Sequence, residues 1–135
     1  MTTFVDAIAD RLVGRVDGWQ VYKHGVPDGT LPARYVVVWG IPGDESASTT
    51  SSATDMREPV AWVTSVCRYP DARFAASEVS ESSVRVRDAL RDWRPPLGRA
   101  NWKCRNGLSG APRRDESIPA TTYATVEQFT ALHQA

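Results

Sequence analysis

The sequence predicts one α+β domain, in which an antiparallel sheet of about four to five strands packs two helices on one face. Two observations lead to this fold class. The chain has 135 residues, and single domains cluster at about 100 to 150 residues. Its strand-like stretches follow one another in runs, in the order α-β-β-β-α-β-β, whereas a parallel sheet needs a crossover helix between each pair of strands. The domain is expected to span residues 1–135.

The first helix is predicted at the N-terminus. Thr3 and Asp6 have the spacing of a capping box, in which two side chains satisfy free backbone groups at a helix start. Apolar residues then recur at helical spacing from Val5 to Leu12, and the glycines that follow close the segment.

Three strands are predicted next. The segments 19–25, WQVYKHG, and 34–40, RYVVVWG, are rich in the β-branched and aromatic residues that suit strands. The turn residues of the VPDGTLP segment between them favour a hairpin. A third strand is predicted in the segment 60–67, VAWVTSVC, after a long polar loop.

The second helix is the longest predicted element. Pro70 and Asp71 mark its start, and the RPPLG segment marks its end. One apolar stripe recurs between them at helical spacing: Ala72, Ala75, Val79, Val86, Leu90 and Trp93. Two further strands are predicted beyond it, in the segments ANWKCRN and TTYATVEQFTAL.

Two polar segments are too long to be simple connectors. Residues 41–59 are mostly Ser, Thr, Asp, Glu, Gly and Pro without a regular period, and residues 107–119 form a second polar loop. Long loops are usually functional or disordered, although an insertion without a role costs a fold little. Their charged residues are the candidate interface: Asp44, Glu45, Asp55, Arg57, Glu58, Arg113, Arg114, Asp115 and Glu116.

Large aromatic residues are predicted to build much of the core, because they bury the most area per residue. The tryptophans are Trp19, Trp39, Trp62, Trp93 and Trp102. Trp39 and Trp62, at the ends of the strands that the long loop separates, are expected to face the helices. Cys67 and Cys104 lack the spacing of a zinc site, and we expect both to be buried or half-buried free thiols.

Catalytic and cofactor-binding patterns are missing from the sequence. Neither GxxxxGK[ST] nor GxGxxG occurs, and the GLSGA segment does not match the Gly-x-Ser-x-Gly of a nucleophile elbow. His24 and His133 have no spaced Cys or carboxylate partners. We therefore expect no enzyme activity, no cofactor and no metal site.

Overall charge and hydropathy also limit the partners. Sixteen basic residues balance sixteen acidic ones, whereas nucleic-acid binders normally carry a basic surplus. No run of about 18 apolar residues occurs, so the sequence favours neither a nucleic acid nor a membrane as partner.

The order of these segments resembles the tail terminator proteins of long-tailed bacteriophages, particularly those that infect GC-rich actinobacteria. The resemblance lies in the segments FVDAIADRLV, GWQVYKHGVPDGTLPARYVVVWG, VTSVCRYPDARFAASEVSESSVRVRDALRDWRPPLGR and TTYATVEQF, in that order. The resemblance covers most of the chain. It depends on the order of these segments and not on a catalytic motif.

The resemblance implies a virion protein at the head-proximal end of the tail, assembled in the host cytoplasm. Such a protein forms a ring of six subunits, caps the tail tube protein and offers a surface to the head–tail connector protein, while DNA passes through the ring without specific binding. On this view residues 41–59 are mobile in the free subunit and ordered in the tail. A head-completion or neck adaptor of the same phage type and a non-viral α+β interaction domain are the alternatives.

Overall fold

The computed structural model describes residues 3–40, 45–47, 56–98, 101–117 and 121–134. The elements are α1 Phe4–Leu12, β1 Gln20–Lys23, β2 Arg34–Trp39, β3 Glu45–Ala47, β4 Met56–Arg68, α2 Ala72–Leu90, β5 Arg105–Ser109, β6 Arg113–Arg114, β7 Thr122–Thr130 and β8 His133–Gln134. This is the predicted α+β class, with a mixed sheet and two helices.

The main sheet has the strand order β1-β2-β4-β7-β5. Its pairs from β2 to β5 are antiparallel, as predicted. The predicted hairpin between the first two strands is wrong, because β1 and β2 run parallel. The ten residues 24–33 between them can span up to about 33 Å, which is enough to return the chain to the starting end of the sheet.

The long polar loop is shorter than predicted, because strands take up part of it. Residues 45–47 pair antiparallel with residues 57–59, so β4 begins at Met56 and continues beyond the main sheet. Its projecting end also pairs with β8. The mobility predicted for the segment 41–59 also concerns residues 41–44 and 48–55. These residues lie outside the described residues.

The second polar loop also contains strand residues. Residues 107–109 belong to β5, which pairs irregularly with β7, and Arg113 and Arg114 form β6 on the same neighbour. Residues 118–120 lie outside the described residues. Backbone pairing with β7 therefore replaces the predicted irregular structure over much of this segment.

Both helices begin where the sequence predicts. The Thr3 hydroxyl accepts from the Asp6 backbone N–H at 3.2 Å, and the Asp6 carboxylate accepts from the Thr3 N–H at 3.3 Å, which completes the capping box of α1. Asp71 caps α2 by accepting from the backbone N–H of Arg73 at 3.0 Å. Helix α2 ends at Leu90, so Trp93 lies beyond it and packs on the core from the following segment.

The core lies between the helices and one face of the sheet. Alternate strand residues are buried there, among them Val36, Val38, Val63 and Phe129, as expected for a sheet covered on one side. Two buried hydroxyl pairs fix α2 on the sheet: Ser65 with Ser82, and Ser83 with Thr125, each with its oxygens 2.8 Å apart.

The tryptophans do not build the core as predicted. Trp19 is buried and Trp93 is half-buried, but Trp102 is exposed. Trp39 and Trp62 lie on the sheet face opposite the helices, which contradicts the expectation that they face them. Strand geometry explains this, because successive side chains point to opposite faces and the helices cover the neighbouring valines Val38 and Val63.

Both cysteines are buried free thiols, as predicted. Burial raises the pKa of the Cys104 thiol to about 12. Burial also raises the pKa of the Cys67 thiol, since the uncharged form is preferred away from water. Each thiol therefore packs as a small apolar side chain.

Candidate assembly surface

The sheet face opposite the helices, here called the open face, carries a continuous set of mainly apolar side chains. Every second residue of the central strands contributes to it, because the alternate residues are buried against α1 and α2. Its members are Tyr22, Tyr35, Val37, Trp39, Trp62, Thr64, Val66, Ala124, Val126 and Gln128. All of these side chains are half-buried or exposed.

A stacked tryptophan pair dominates the open face. Trp39 and Trp62 are direct partners in the β2–β4 register. Their ring centroids lie 4.9 Å apart, with an interplanar angle of 18°. Trp39 Nε1–H donates to Thr64 Oγ1 at 2.9 Å, which fixes the orientation of the ring. Trp39 is still 37% exposed, so the pair forms a rigid aromatic platform of the kind enriched at protein interfaces.

A second aromatic pair extends the open face towards the β1 edge. Tyr22 and Tyr35 contact each other edge to face, with centroids 6.1 Å apart. Burial raises the pKa of the Tyr35 hydroxyl, and the nearby Arg68 guanidinium opposes that rise. The apolar and aromatic side chains of the open face therefore extend from β1 to β7.

The structure does not bring the predicted charged residues into one site. Arg113, Arg114 and Glu116 are exposed at β6, and the half-buried Asp115 accepts from the Ser117 N–H at 3.0 Å. Glu58 is half-buried near the start of β4.

The spacing along β7 separates these two groups. Arg113 pairs with Ala124, whereas β4 reaches Glu58 two residues beyond its pairing with Thr130. At about 3.3 Å per residue, the two groups are roughly 25 Å apart. In the projecting hairpin, the backbone of Glu45 pairs with Pro59 and that of Arg57 with Ala47. Asp44 and Asp55 lie outside the described residues.

A buried carboxylate was not predicted from the sequence. The Glu127 side chain is 3% exposed and lies on the helix side of β7. It accepts hydrogen bonds from Asn106 Nδ2 at 3.2 Å and from the Ser109 hydroxyl, and Arg87 Nη1 lies 3.9 Å away. These contacts join the edge strand β5 to the centre of the fold. The period-2 pattern of TVEQF was the available signal, because it places Glu127 opposite the outward Val126 and Gln128.

A pocket of about 510 Å³ also went unpredicted. Its wall consists of Glu58, Arg94, Trp102, Lys103, Arg105 and Leu132. These residues come from four separate segments, which only the fold brings together. The tryptophan and the two basic residues within NWKCR were a partial signal.

The described ranges contain neither a candidate metal site nor a membrane-spanning helix. Within them, His, Cys, Asp and Glu side chains form no group of three or more that could hold a metal ion. Neither helix there has the length and apolar character needed to cross a bilayer.

Comparison with known proteins gives a likeness of fold. No protein-family model and no curated protein matches the sequence. A chain in a solved structure described as "Virion of native gene transfer agent (GTA) particle" is similar, with a TM-score of 0.71 and 18% sequence identity. The match covers 98% of this chain and 95% of that chain. The likeness in fold to that chain therefore extends over nearly the whole of both chains.

Proposed function

We propose that this chain is a structural virion protein and acts as a tail terminator, which caps the tail tube, stops its growth and offers a docking surface to the head connector. The observation that carries the proposal is the fold shared with a virion chain over almost the full length of both chains. The order of segments in the sequence, which resembles the tail terminators, points to the same role.

The geometry of tube growth explains what such a protein must do. A tube grows because each ring exposes a surface complementary to the next ring, a contact that does not close on itself. A terminator copies one of these surfaces and replaces the other. Side-by-side contacts between its own subunits, in contrast, close by rotation, and here we propose a ring of six.

The open face is the surface that suits burial in such an assembly. The Trp39–Trp62 pair is held by Thr64 and by the register of β2 and β4, so little side-chain entropy is lost when a partner covers it. Exposed apolar patches on a soluble domain usually mark an interaction site. We assign this face to contacts within the ring or with the tube protein.

The polar segments are proposed to make the remaining contacts. Strands β3 and β4 pair beyond the main sheet, and we propose that the charged residues of 41–59 contact a neighbouring ring or the connector. Arg113 pairs near the start of β7, away from the β3–β4 hairpin, and we assign the segment 107–119, with Arg113 and Glu116, to a second contact. DNA is proposed to pass through the ring without specific binding.

An in vitro capping experiment tests the proposal. Tail tube protein from the same genome is polymerised with and without this chain, and tube lengths are measured by negative-stain electron microscopy. We expect shorter tubes that carry a ring of extra density at one end. If tube length is unchanged while the chain binds the connector protein alone, the neck-adaptor alternative is correct instead. A chain that binds neither protein contradicts both assembly roles.

Matched variants locate the active surface in the same experiment. Trp39→Ser on the open face should abolish capping, whereas Phe74→Ser, at an exposed aromatic residue of α2 outside the open face, should leave it intact. Replacing residues 48–55 by a short Gly-Ser link keeps the β3–β4 pairs and should retain the fold but weaken capping. Normal capping by that deletion variant would remove the role assigned to the 41–59 segment.

A further inference from the structure

The pocket beside Trp102 combines positive charge with an apolar wall. Trp102 is 44% exposed and Leu132 is half-buried, so the apolar part of the wall is open to solvent. Arg94, Lys103 and Arg105 are all exposed around it. Exposed tryptophan beside guanidinium groups is a combination that protein interfaces favour.

The backbone that presents these side chains is fixed on both sides. The Trp102 N–H donates to the Leu132 carbonyl at 2.9 Å, and the Cys104 N–H donates to the Trp93 carbonyl at 2.7 Å. Buried Cys104 anchors the same segment in the core. The pocket is therefore formed before any ligand arrives, which reduces the entropy cost of binding.

The three cationic side chains differ in whether they already have a hydrogen-bond or ion-pair partner within the chain. Lys103 Nζ pairs with Asp92 Oδ1 at 3.2 Å, and Arg94 Nη1 donates to the Asn101 carbonyl at 3.1 Å. The Arg105 side chain makes no hydrogen bond or ion pair with the part of the chain that the structure describes, whereas its backbone pairs with Thr130 of β7. Its guanidinium is available for a bidentate bond to a carboxylate.

We propose that this pocket binds an acidic peptide segment of a partner protein. One carboxylate pairs with Arg105, and an apolar side chain beside it packs on Trp102 and Leu132. The assignment does not depend on the tail-terminator role, because it rests on the pocket of a single subunit.

The charge balance favours a peptide carboxylate over a nucleic acid. Glu58 lies in the wall and Asp92 pairs with Lys103, so acidic groups offset two of the three cations. The surplus of one positive charge suits one carboxylate. Binding of a polyphosphate chain depends on several cations that displace condensed counterions, and Glu58 would repel its phosphates.

An NMR titration of the ¹⁵N-labelled chain tests the site. The probes are the capped peptide Gly-Glu-Leu-Glu-Gly and its counterpart with Gln in place of both Glu residues. We expect the acidic peptide to shift the indole N–H signal of Trp102 with a Kd on the order of 1 mM, because so short a ligand makes few contacts. Added salt should weaken this binding, and the Gln peptide should leave the signal in place.

Variants separate the pocket from general charge attraction. Arg105→Ala should weaken binding about threefold to fivefold, the effect of one exposed ion pair. Arg113→Ala is the matched control, since Arg113 is also an exposed strand arginine whose side chain has no hydrogen bond or ion pair among the described residues. The amide spectrum of each variant shows whether it is folded.

Three outcomes would overturn the proposal. Equal binding of the acidic and Gln peptides would remove the role of charge. An unchanged Trp102 signal with the acidic peptide at millimolar concentration would remove the site. Tighter binding of a single-stranded DNA oligomer, with the same shift at Trp102, would reassign the pocket to nucleic acid.

Discussion

Phe129 and Trp62 are large aromatic side chains on opposite faces of the sheet, and they contribute differently to stability. Phe129 is 2% exposed and packs among the buried residues beneath the helices. Trp62 is half-buried on the open face, where its main partner is the exposed ring of Trp39. The energetic cost of removing a side chain follows the atoms that surround it rather than its size.

Substitution of these two residues should separate their roles. Phe129→Ala should lower the free energy of unfolding by about 3 to 5 kcal/mol, because it empties a filled core site. Trp62→Ala should cost about 1 to 2 kcal/mol, mainly from the lost stacking on Trp39. Urea unfolding followed by circular dichroism measures both. Equal losses would mean that Trp62 is as deeply packed as Phe129.

At the scale of elements, α2 is held on the sheet by polar contacts as well as by apolar ones. Ser82 and Ser83 are adjacent, and each donates or accepts across the interface, to Ser65 on β4 and to Thr125 on β7. Small hydroxyl residues let the helix approach both strands closely. Because each pair satisfies two buried groups at once, the contacts fix one position of the helix on the sheet.

A double-mutant cycle tests the hydroxyl contact between α2 and β4. Ser65→Ala and Ser82→Ala should each destabilise by about 1 to 3 kcal/mol, because each leaves the opposite hydroxyl buried without a partner. The double variant should cost less than the sum of the two. Ser80→Ala, where the half-buried hydroxyl bonds its own helix, is the control and should change stability by less than about 0.5 kcal/mol. Strict additivity would contradict the pairing.

The N-terminus of α1 carries a pH-sensitive contact. Hydrogen bonds from the Thr3 side chain and backbone hold the pKa of Asp6 well below its ordinary value of 3.8. Burial opposes this effect, and hydrogen bonds from Lys23 and His24 lower the pKa further. Because the folded-state pKa is the lower one, ionised Asp6 stabilises the fold above about pH 4. This contribution is lost as pH falls through the folded-state pKa.

Asp6→Asn should therefore weaken the fold in a pH-dependent manner. At pH 7 we expect a loss of about 0.5 to 1 kcal/mol, modest because the site is partly exposed to solvent. The difference from the unaltered protein should shrink as pH is lowered below 3.8. Urea midpoints at pH 7 and pH 3 measure it. Asp10→Asn, at an exposed residue of the same helix, should show no such trend.

For the whole molecule, the balance of charge limits which polymers it can bind. Sixteen basic residues match sixteen acidic ones. The exposed Arg113 and Arg114 are followed at once by Asp115 and Glu116. The two negative charges therefore offset the two positive charges of this segment. A protein that lets DNA pass benefits from this balance, because each phosphate contact would add affinity and slow passage.

Duplex DNA should accordingly show no binding tighter than the roughly 10⁻⁴ to 10⁻⁶ M of non-specific binders at physiological salt. Fluorescence anisotropy with a labelled duplex measures this affinity. A sub-micromolar, salt-sensitive affinity would contradict the prediction, and Arg113 and Arg114 would be the first residues to substitute.

Local sequence determined the features whose cause is local. The Thr3–Asp6 capping box and the cap at Asp71 depend on residues within one turn of each other, and the structure has both helix starts where the sequence predicts. The alternation around Val63 and Phe129 likewise marked strands that the structure contains. These signals are complete within a few residues, so no knowledge of the rest of the fold was needed.

Tertiary structure decided the remaining features, because each depends on residues far apart in the chain. The RYVVVW strand is apolar on both sides, so the sequence could not tell whether Val38 or Trp39 would meet the helices. The direction of β1 relative to β2 depends on the path of residues 24–33. Likewise Arg94, Trp102 and Leu132 meet only because β7 brings the end of the chain beside the segment that follows α2.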